Sequence, residues 1–275
     1  MLQTRALGDY LAFDKKQCEE LGRALTDSYR SAHPFPHIVI DDFLDPEILR
    51  QVLADFPSSK DKSYFDRDQE RLKFQYHPAE IDSGITRNLF AELNSEAFLA
   101  FLQELTGIDG LIADPHFEGG GLHETKNGGH LGVHADFNVH GVLKVERRLN
   151  LLIYLNEDWD EDFGGRLELW EKDMSRSAVS VSPEFNRAVI FSTDLDSFHG
   201  HPDPLRCPPD RSRRSIATYY YTSPEDGVAA LPHRTTNFRV RPGSADKRDW
   251  QIRRHHFVND WVPRKLQRLA HRLIG

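Results

Sequence analysis

Two kinds of hydrophobic spacing divide the chain near residue 110. Before that point, apolar residues recur every three or four positions, which is typical of amphipathic helices. After it, short apolar runs are separated by Gly, Pro, Asn and Asp, which is typical of β-strands joined by turns. The pattern therefore predicts a helical N-terminal part followed by a β-rich core.

In the N-terminal part the spacing predicts three helices and one strand. The first helix follows Asp14 as its N-cap, residues 37–40 form a strand, and Pro46 opens a second helix after the cap Asp45. A third helix is predicted to run unbroken through FAELNSEAFLAFLQELTG and to end at Gly107. The charge-rich stretch 58–73 is interpreted as a solvated loop, with a mobile lid near a substrate as the alternative.

The second part contains four clear strand patterns, and its glycine clusters predict turns. The strands are RRLNLLIYLN, RLELWEKD, NRAVIFST and RRSIATYYYT, and the predicted turns are GGG at 119–121 and NGG at 127–129. Short strands after a helical prelude favour a β-sandwich or jelly roll with helices packed outside. We expect an N-terminal part over 1–110 packing on the core, a β core over 111–245, and a basic amphipathic helix over 246–275, within a single domain overall.

Composition narrows the class of protein and its partners. The 275 residues are 39% hydrophobic and 28% charged, which is typical of a globular chain, and the net charge of −8 argues against a nucleic-acid partner. No segment approaches the ~20 apolar residues of a membrane span, and charges interrupt any signal-peptide core near the start. Only two cysteines occur, Cys18 and Cys207, and they are far apart. They indicate a reducing cytoplasm, with Cys207 interpreted as a buried thiol rather than a nucleophile.

The C-terminal segment carries an apolar stripe opposite a basic one. Val262, Leu266 and Leu269 belong to the apolar stripe, and Arg264 and Arg268 to the basic one. We expect this helix to pack on the protein body. Binding to a membrane surface or to a partner protein is the alternative, and a membrane would be reached only through this segment.

The stretch HLGVHADFNVH, residues 130–140, holds the first candidate chemistry. On a strand, His134 and Asp136 project to the same face and can share a cation. A third ligand must come from another strand, and FSTDLDSFHGHPDPL offers His199 or His201. Two histidines and one carboxylate form the facial triad of non-haem Fe(II) oxygenases, which leaves three positions of an octahedral ion open.

These motifs together resemble a known enzyme family. HADF, YLNEDWDEDFGGRLELW, FHGH and RRSIATYYYT are similar to the 2-oxoglutarate and Fe(II)-dependent dioxygenases, in their prolyl-4-hydroxylase-like branch. The resemblance covers roughly residues 116–222, and the earlier FPHIVIDDFLDPE is similar to a strand and helix of many bacterial members. It implies a double-stranded β-helix, a jelly roll with the site inside its open end.

The resemblance also implies the roles of individual residues. It assigns the metal to His134, Asp136 and His199, and the distal carboxylate of 2-oxoglutarate to Arg213, with Ser215 as its hydroxyl companion. A planar guanidinium suits a carboxylate because it can donate two parallel hydrogen bonds. Further residues expected in the 2-oxoglutarate pocket are Tyr154, Asn150 and Leu167. For Tyr154 an ordinary core position is the alternative.

His199 is favoured over His201 as the third ligand. It directly follows Phe198 at the end of an apolar run, and Gly200 permits a close backbone approach. Pro202 and Pro204, beyond His201, mark the exit into a loop. Four residues near the ligand strand could line the substrate entrance but are left out of the metal set: His123, Glu124, His130 and His140.

The implied activity is hydroxylation of an aliphatic C–H, using Fe(II) and 2-oxoglutarate, releasing succinate and CO2, with ascorbate as a candidate reductant. The resemblance associates halogenation with a small residue at the carboxylate position, so Asp136 favours hydroxylation. The substrate stays open among peptidyl proline, an amino acid, a sugar or glycan, and a secondary metabolite. The alternatives are a cupin-like metal enzyme that does not use 2-oxoglutarate and a catalytically silent binding module on the same fold.

Overall fold

The computed structural model describes residues 1–7, 10–58, 65–224 and 234–247. The amphipathic helix predicted over 246–275 lies outside these residues except for its first two, so its packing on the core stays a prediction. Within the described ranges, no helix combines the length and the apolar character that a membrane crossing requires.

Four α-helices cover the N-terminal part: α1 (Lys15–Arg30), α2 (Pro46–Ala54), α3 (Gly84–Leu93) and α4 (Glu96–Thr106). The predicted caps are confirmed, since the carboxylates of Asp14 and Asp45 accept from backbone N–H groups at the starts of α1 and α2. The prediction of one unbroken third helix is wrong. Ser95 caps a new helix by accepting from the N–H of Phe98, so the pattern divides into α3 and α4. Gly107 ends α4 with φ +72°, as predicted.

The strands follow in chain order: β1 (Thr4–Leu7), β2 (Tyr10–Phe13), β3 (His37–Ile40), β4 (Phe65–Arg67), β5 (Glu70–Tyr76), β6 (Ile112–Ala113), β7 (Gly121–Ala135), β8 (Glu146–Tyr154), β9 (Leu167–Trp170), β10 (Ser177–Val181), β11 (Ala188–Ser192), β12 (His199–His201), β13 (Ser212–Thr222) and β14 (Asn237–Phe238). The four strands predicted in the second part are confirmed as β8, β9, β11 and β13. The β1–β2 hairpin was not predicted.

One sheet of twelve strands forms the core of the described fold. Its main path runs β10-β9-β12-β7-β13-β8-β11-β3, with β5 and β14 also paired to β7, β4 paired to β5, and β6 paired to β13. The pairings between these strands are antiparallel. The sheet curls into a nearly closed barrel, which confirms the predicted jelly roll.

Two predicted loop features are part of this sheet instead. Residues 59–64 of the stretch 58–73, which was interpreted as a solvated loop or a lid, lie outside the described ranges. The remainder contains β4 and the first half of β5, and β5 pairs with β7. The NGG predicted as a turn lies inside β7, which continues through it. The partner of β7 residues jumps from Lys73 opposite Thr125 to Arg71 opposite His130, so the intervening residues of β7 bulge out of the pairing. Gly128, at φ +79°, supplies the left-handed backbone conformation in this bulge.

Side chains of β8 point alternately to the helices outside the barrel and to its interior. Leu149, Leu151 and Ile153 are fully buried in the large apolar cluster that joins the sheet to the helices. Leu152 and Tyr154 point the other way and pack with the residues inside the barrel. The helices therefore stabilise the outside of the sheet, and its inside is left for polar chemistry.

We predict that Leu151→Ala lowers the free energy of unfolding by about 2–4 kcal/mol, because it leaves a cavity where the sheet meets the helices. Val142→Ala is the matched control. Val142 is 65% exposed, so its truncation should change stability by less than ~0.5 kcal/mol. Denaturant unfolding of both variants measures the difference. Equal stabilities would show that the outer face of β8 does not carry the core.

Candidate metal centre

The register of two strands brings the three predicted ligands together. His134 lies near the end of β7, Asp136 directly follows that strand, and His199 opens β12. In the antiparallel pairing of β12 with β7, His199 is directly opposite His134. The two ring centroids lie 4.5 Å apart, and the Nε2 atoms are 3.5 Å (His134) and 3.4 Å (His199) from the carboxylate oxygens of Asp136. One ligand atom from each residue thus falls within 4.8 Å of the other two.

Backbone carbonyls fix the orientation of both imidazoles. Nδ1 of His134 lies 2.9 Å from the carbonyl oxygen of Gly132, and Nδ1 of His199 lies 3.0 Å from that of Ser197. A carbonyl only accepts, so each Nδ1 carries the proton and each Nε2 lone pair faces the centre. This is the arrangement in which histidines bind metal ions in proteins. The donor set of two neutral nitrogens and one carboxylate fits an octahedral divalent ion with three positions left open.

Burial keeps the imidazole of the candidate ligand His199 neutral. It lowers the pKa of His199 to about 4, although the charge of Asp136 acts in the opposite direction. A neutral imidazole is the form that binds a metal, so His199 needs no deprotonation near neutral pH.

Arg147 and Asn150 hold the carboxylate of Asp136. The Asn150 amide donates to Oδ2 of Asp136 at 2.8 Å, and Nη2 of Arg147 lies 3.2 Å from the same oxygen. Arg147 also donates twice to the amide oxygen of Asn150 and lies over the ring of Tyr219. Burial by itself raises the pKa of Asp136, but Arg147 and the two histidines outweigh it and hold that pKa well below its usual range. Asp136 is therefore an anion before any metal binds.

Arg147 is a site residue that the sequence analysis missed. Simple alternation along β8 places Asn150 with Arg148 on one face and puts Arg147 on the other. A bulge changes this, because the pairing of β8 with β13 skips Arg148 and sets Arg147 opposite Tyr221. The extra residue re-aims the guanidinium toward Asp136. The consecutive arginines at the start of β8 were the only signal in the sequence.

Arg213, on β13, forms a second polar centre inside the barrel. Its Nε donates to the carbonyl of Gly165 at 2.8 Å, and its Nη2 donates to the hydroxyl of Tyr154 at 3.1 Å. Arg213 is 6% exposed, and none of the carboxylates that the structure describes forms an ion pair with it. Burial disfavours the charged form and lowers the pKa of Arg213, although the interaction with Tyr154 acts in the opposite direction. A buried guanidinium without a counter-charge is costly unless an anion joins it.

A single cavity of about 260 Å³ connects the two centres. The predicted site residues that line it are His134, Asp136, Asn150, Leu167, His199, Arg213 and Ser215. Tyr154 does not line the cavity but accepts a hydrogen bond from Arg213, which does. Asn150, predicted for the 2-oxoglutarate pocket, lines the cavity but uses its amide on Asp136. The geometry therefore fits a ligand that reaches from the metal position to Arg213.

Strand β5 supplies cavity residues that were not predicted. Glu70, Lys73 and Gln75 line the cavity, and Nζ of Lys73 donates to the Glu70 carboxylate at 2.8 Å. Glu70 and Lys73 belong to the charge-rich stretch interpreted as a solvated loop, where the local sequence does not distinguish a buried charge from an exposed one.

The remaining histidines divide into two groups. His123 and His201 line the cavity, and the register places His201 opposite Leu131, away from the paired ligands. His140 is fully buried and bonds Asp114 and Glu118, which gives it a structural setting. The other two predicted entrance residues, Glu124 and His130, do not line this cavity. His255 and His256 lie outside the described residues.

The two thiols are ordinary buried groups in the structure. Burial raises the pKa of Cys18 to about 12, and it also raises the pKa of Cys207. Cys207 packs with Trp159 and Leu205. This agrees with the interpretation of Cys207 as a plain thiol.

A comparison with known protein families matches the part of the chain that carries this site. The sequence model of the 2OG-Fe(II) oxygenase superfamily matches residues 120–221, which span β7 to β13 and contain all three candidate ligands and Arg213. Over these residues the chain is similar to the 2OG-Fe(II) oxygenase superfamily. The match confirms the predicted resemblance, and the donor set of the candidate centre fits Fe(II) and 2-oxoglutarate as cofactors. Ascorbate stays a prediction.

Individual relatives share less with the chain. Prolyl 3-hydroxylase OGFOD1 of Mus musculus is 27% identical over 199 residues, which are 68% of this chain and 33% of that protein. This chain therefore spans about a third of the length of that relative.

Two solved structures share the fold at low identity. A Pseudomonas putida prolyl-4-hydroxylase (TM-score 0.53, 16% identical) is matched over 74% of this chain and all of that one. HygX of Streptomyces hygroscopicus with nickel and 2-oxoglutarate bound (TM-score 0.50, 12% identical) is matched over 80% and 94%.

We predict that His199→Ala abolishes stoichiometric metal binding, because it removes one of three ligand atoms. His201→Ala is the matched control from the same short strand. It should keep the metal, with at most the ~10–100-fold loss of affinity that is typical when a residue beside a metal centre is removed. Metal content after dialysis against Fe(II), or against Ni(II) as a stable substitute, measures both. Retained metal in His199→Ala together with lost metal in His201→Ala would exchange the two assignments.

We also predict that Asn150→Leu weakens metal binding by roughly tenfold while the fold persists, because Asp136 loses a hydrogen bond that orients its carboxylate. The variant keeps a similar volume and retains both charged residues, Arg147 and Asp136, although Arg147 loses the amide oxygen to which it donates. Metal titration and thermal unfolding should be measured on the same sample. A metal affinity equal to that of the unaltered protein would show that Arg147 alone positions Asp136.

Proposed function

We propose that this protein is an Fe(II)- and 2-oxoglutarate-dependent dioxygenase that hydroxylates an aliphatic C–H bond and releases succinate and CO2. The observation that carries the proposal is the single cavity that joins His134, Asp136 and His199 to Arg213, whose guanidinium has no carboxylate partner among the described residues. 2-Oxoglutarate has a keto-acid end that suits a metal and a distal carboxylate that suits an arginine. Bound Fe(II) with 2-oxoglutarate and dioxygen supplies the oxidising power for the reaction.

The protein's own residues contribute position and charge. His134, His199 and Asp136 would hold the metal on one face, and Arg147 and Asn150 keep Asp136 anionic and oriented. Arg213, supported by Tyr154, would hold the distal carboxylate with charge-assisted hydrogen bonds. Leu167 and Leu152 would exclude water from this end of the cavity, which strengthens those bonds.

The presence of Asp136 supports hydroxylation, since a carboxylate occupies the position that the family resemblance links to halogenation when it is small. The complete ligand set argues against a silent binding module. A cupin-like enzyme would not need the buried Arg213. Hydroxylation by a 2-oxoglutarate-dependent enzyme therefore accounts for more of the cavity than either alternative.

A second cavity, of about 450 Å³, adjoins the metal position and would admit the substrate. It reaches Asp136 and is lined by apolar side chains such as Phe35, Phe137 and Leu195 beside the polar Thr193. A prolyl residue in a peptide or protein is the first substrate class that we propose. Its support is the name of the Mus musculus relative, a prolyl 3-hydroxylase, and the mixed apolar and polar lining beside the metal.

Succinate formation tests the reaction class. Purified protein with Fe(II) and 2-oxoglutarate should form succinate in air, and a productive substrate should increase its rate. The panel should contain proline-containing peptides, free amino acids, amino sugars and glycans, with succinate measured by NMR and each substrate by mass spectrometry for a gain of one oxygen. Absence of succinate from protein that has bound both Fe(II) and 2-oxoglutarate would reject the proposal.

We predict that Arg213→Met weakens 2-oxoglutarate binding at least tenfold and leaves metal content unchanged, because it removes a charge-assisted contact worth more than ~1.4 kcal/mol. Arg214→Met is the matched control. Arg214 is the next residue of β13, points to the other face and pairs with Glu124, so its loss should change 2-oxoglutarate affinity by less than twofold. Anaerobic calorimetry measures both. Equal affinities for Arg213→Met and the unaltered protein would remove Arg213 from the co-substrate site.

A further inference from the structure

Strand β5 forms a wall of the cavity and places a second cation in it. Strand β7 lies between β5 and β13, and in its register Thr125 is opposite Lys73 on one side and opposite Arg213 on the other. All three side chains line the same cavity. The neighbouring row has the same organisation and consists of Gln75, His123 and Ser215. The polar wall thus extends over three strands.

Lys73 and Arg213 are close enough to share one ligand group. Neighbouring strands are ~4.8 Å apart, so the two residues begin about two strand spacings apart on the inside of a curved sheet. Both side chains are long and both point into the cavity. Their charges also reach the same neighbour: after burial, which is the largest cause, Lys73 and Arg213 both help to lower the pKa of His123.

The ammonium group of Lys73 is held in place but retains donors. Its side chain is 15% exposed and that of Glu70 is 5% exposed. Among the residues that the structure describes, the Glu70 carboxylate is its one hydrogen-bond partner. An ammonium has three N–H donors, so two are available to a ligand. Burying such a pair costs desolvation free energy, and a purely structural role would be met as well by apolar side chains.

His201, in the same cavity, has a ring nitrogen without a hydrogen-bond partner in the described part of the chain. His201 is 3% exposed, and its buried Nδ1 has no hydrogen-bond partner among the described residues. Buried polar atoms in proteins are nearly always hydrogen-bonded. The cavity is therefore built for a polar ligand that contacts more than Arg213.

We propose that Lys73 is a second cationic contact for the distal carboxylate of 2-oxoglutarate, reaching it from β5 while Arg213 reaches it from β13. The inference rests on the proposed function, since it assumes 2-oxoglutarate in the cavity. Glu70 is the residue that positions the ammonium. Two cations, one from each strand that flanks β7, would select an anion at a fixed distance from the metal, so Lys73 helps to determine which keto acid binds.

Binding of two keto acids tests this role. 2-Oxoglutarate and 2-oxobutyrate share the keto-acid end, but 2-oxobutyrate lacks the distal carboxylate. In anaerobic calorimetry of the Fe(II)-loaded protein, Lys73→Met should weaken 2-oxoglutarate about tenfold or more and change 2-oxobutyrate by less than twofold. Lys73→Arg, which keeps the charge, should recover part of the loss. The matched control is Lys16→Met, on the surface of α1 and 84% exposed, which should leave both affinities unchanged.

Removing Lys73 alone takes a cationic partner away from the buried carboxylate of Glu70, which can unfold the protein. The double variant Glu70→Gln/Lys73→Met removes both charges, and it should show the same selective loss of 2-oxoglutarate. An affinity within twofold of the unaltered protein in the folded double variant, or an equal loss for both keto acids, would overturn the role of Lys73. Failure of the proposed function is distinct, because then the unaltered protein would not bind 2-oxoglutarate at all.

Discussion

The pairing of β12 with β7 is the constraint on which the candidate site depends. It sets His199 directly opposite His134, and Asp136 follows at the end of the same strand. Because side chains alternate along a strand, a slip of one residue would turn His199 out of the barrel and separate the three ligand atoms. The strand β12 is only three residues long, so its register is fixed by its two neighbours, β7 and β9, between which it is inserted.

The two buried arginines inside the barrel differ in whether a carboxylate of the described chain neutralises them. Arg147 is neutralised by Asp136, a pair that is complete in the protein itself. Arg213 has only neutral partners, a carbonyl and a tyrosine hydroxyl, among the described residues. The first arrangement stabilises a ligand residue, and the second leaves an attraction for an anion from outside. Arg213 can therefore bind the carboxylate of a ligand without first breaking an ion pair of the described chain.

Features that depend on neighbouring residues in the sequence were predicted, and features that depend on which strands pair were not. The caps Asp14 and Asp45 and the spacing of His134 and Asp136 depend only on near neighbours in the sequence, and each was predicted. Arg147 was missed because a bulge reverses its direction, and the β5 residue Lys73 was missed because burial depends on the strand beside it. His199 was favoured by its place after Phe198 and by the family resemblance, since sequence spacing alone left His201 open. Distant partners therefore limit such predictions more than local propensity does.

The imidazole supports have a consequence for how the centre tolerates mutation. Both Nδ1 atoms bond to main-chain carbonyls, those of Gly132 and Ser197, and every residue type carries a carbonyl. Substituting these two residues leaves the acceptors in place as long as the backbone keeps its path. The carboxylate, by contrast, is held by side chains, and a single nucleotide change can remove either one. Substitution of a neighbouring residue should therefore disturb the orientation of Asp136 more readily than that of the two imidazoles.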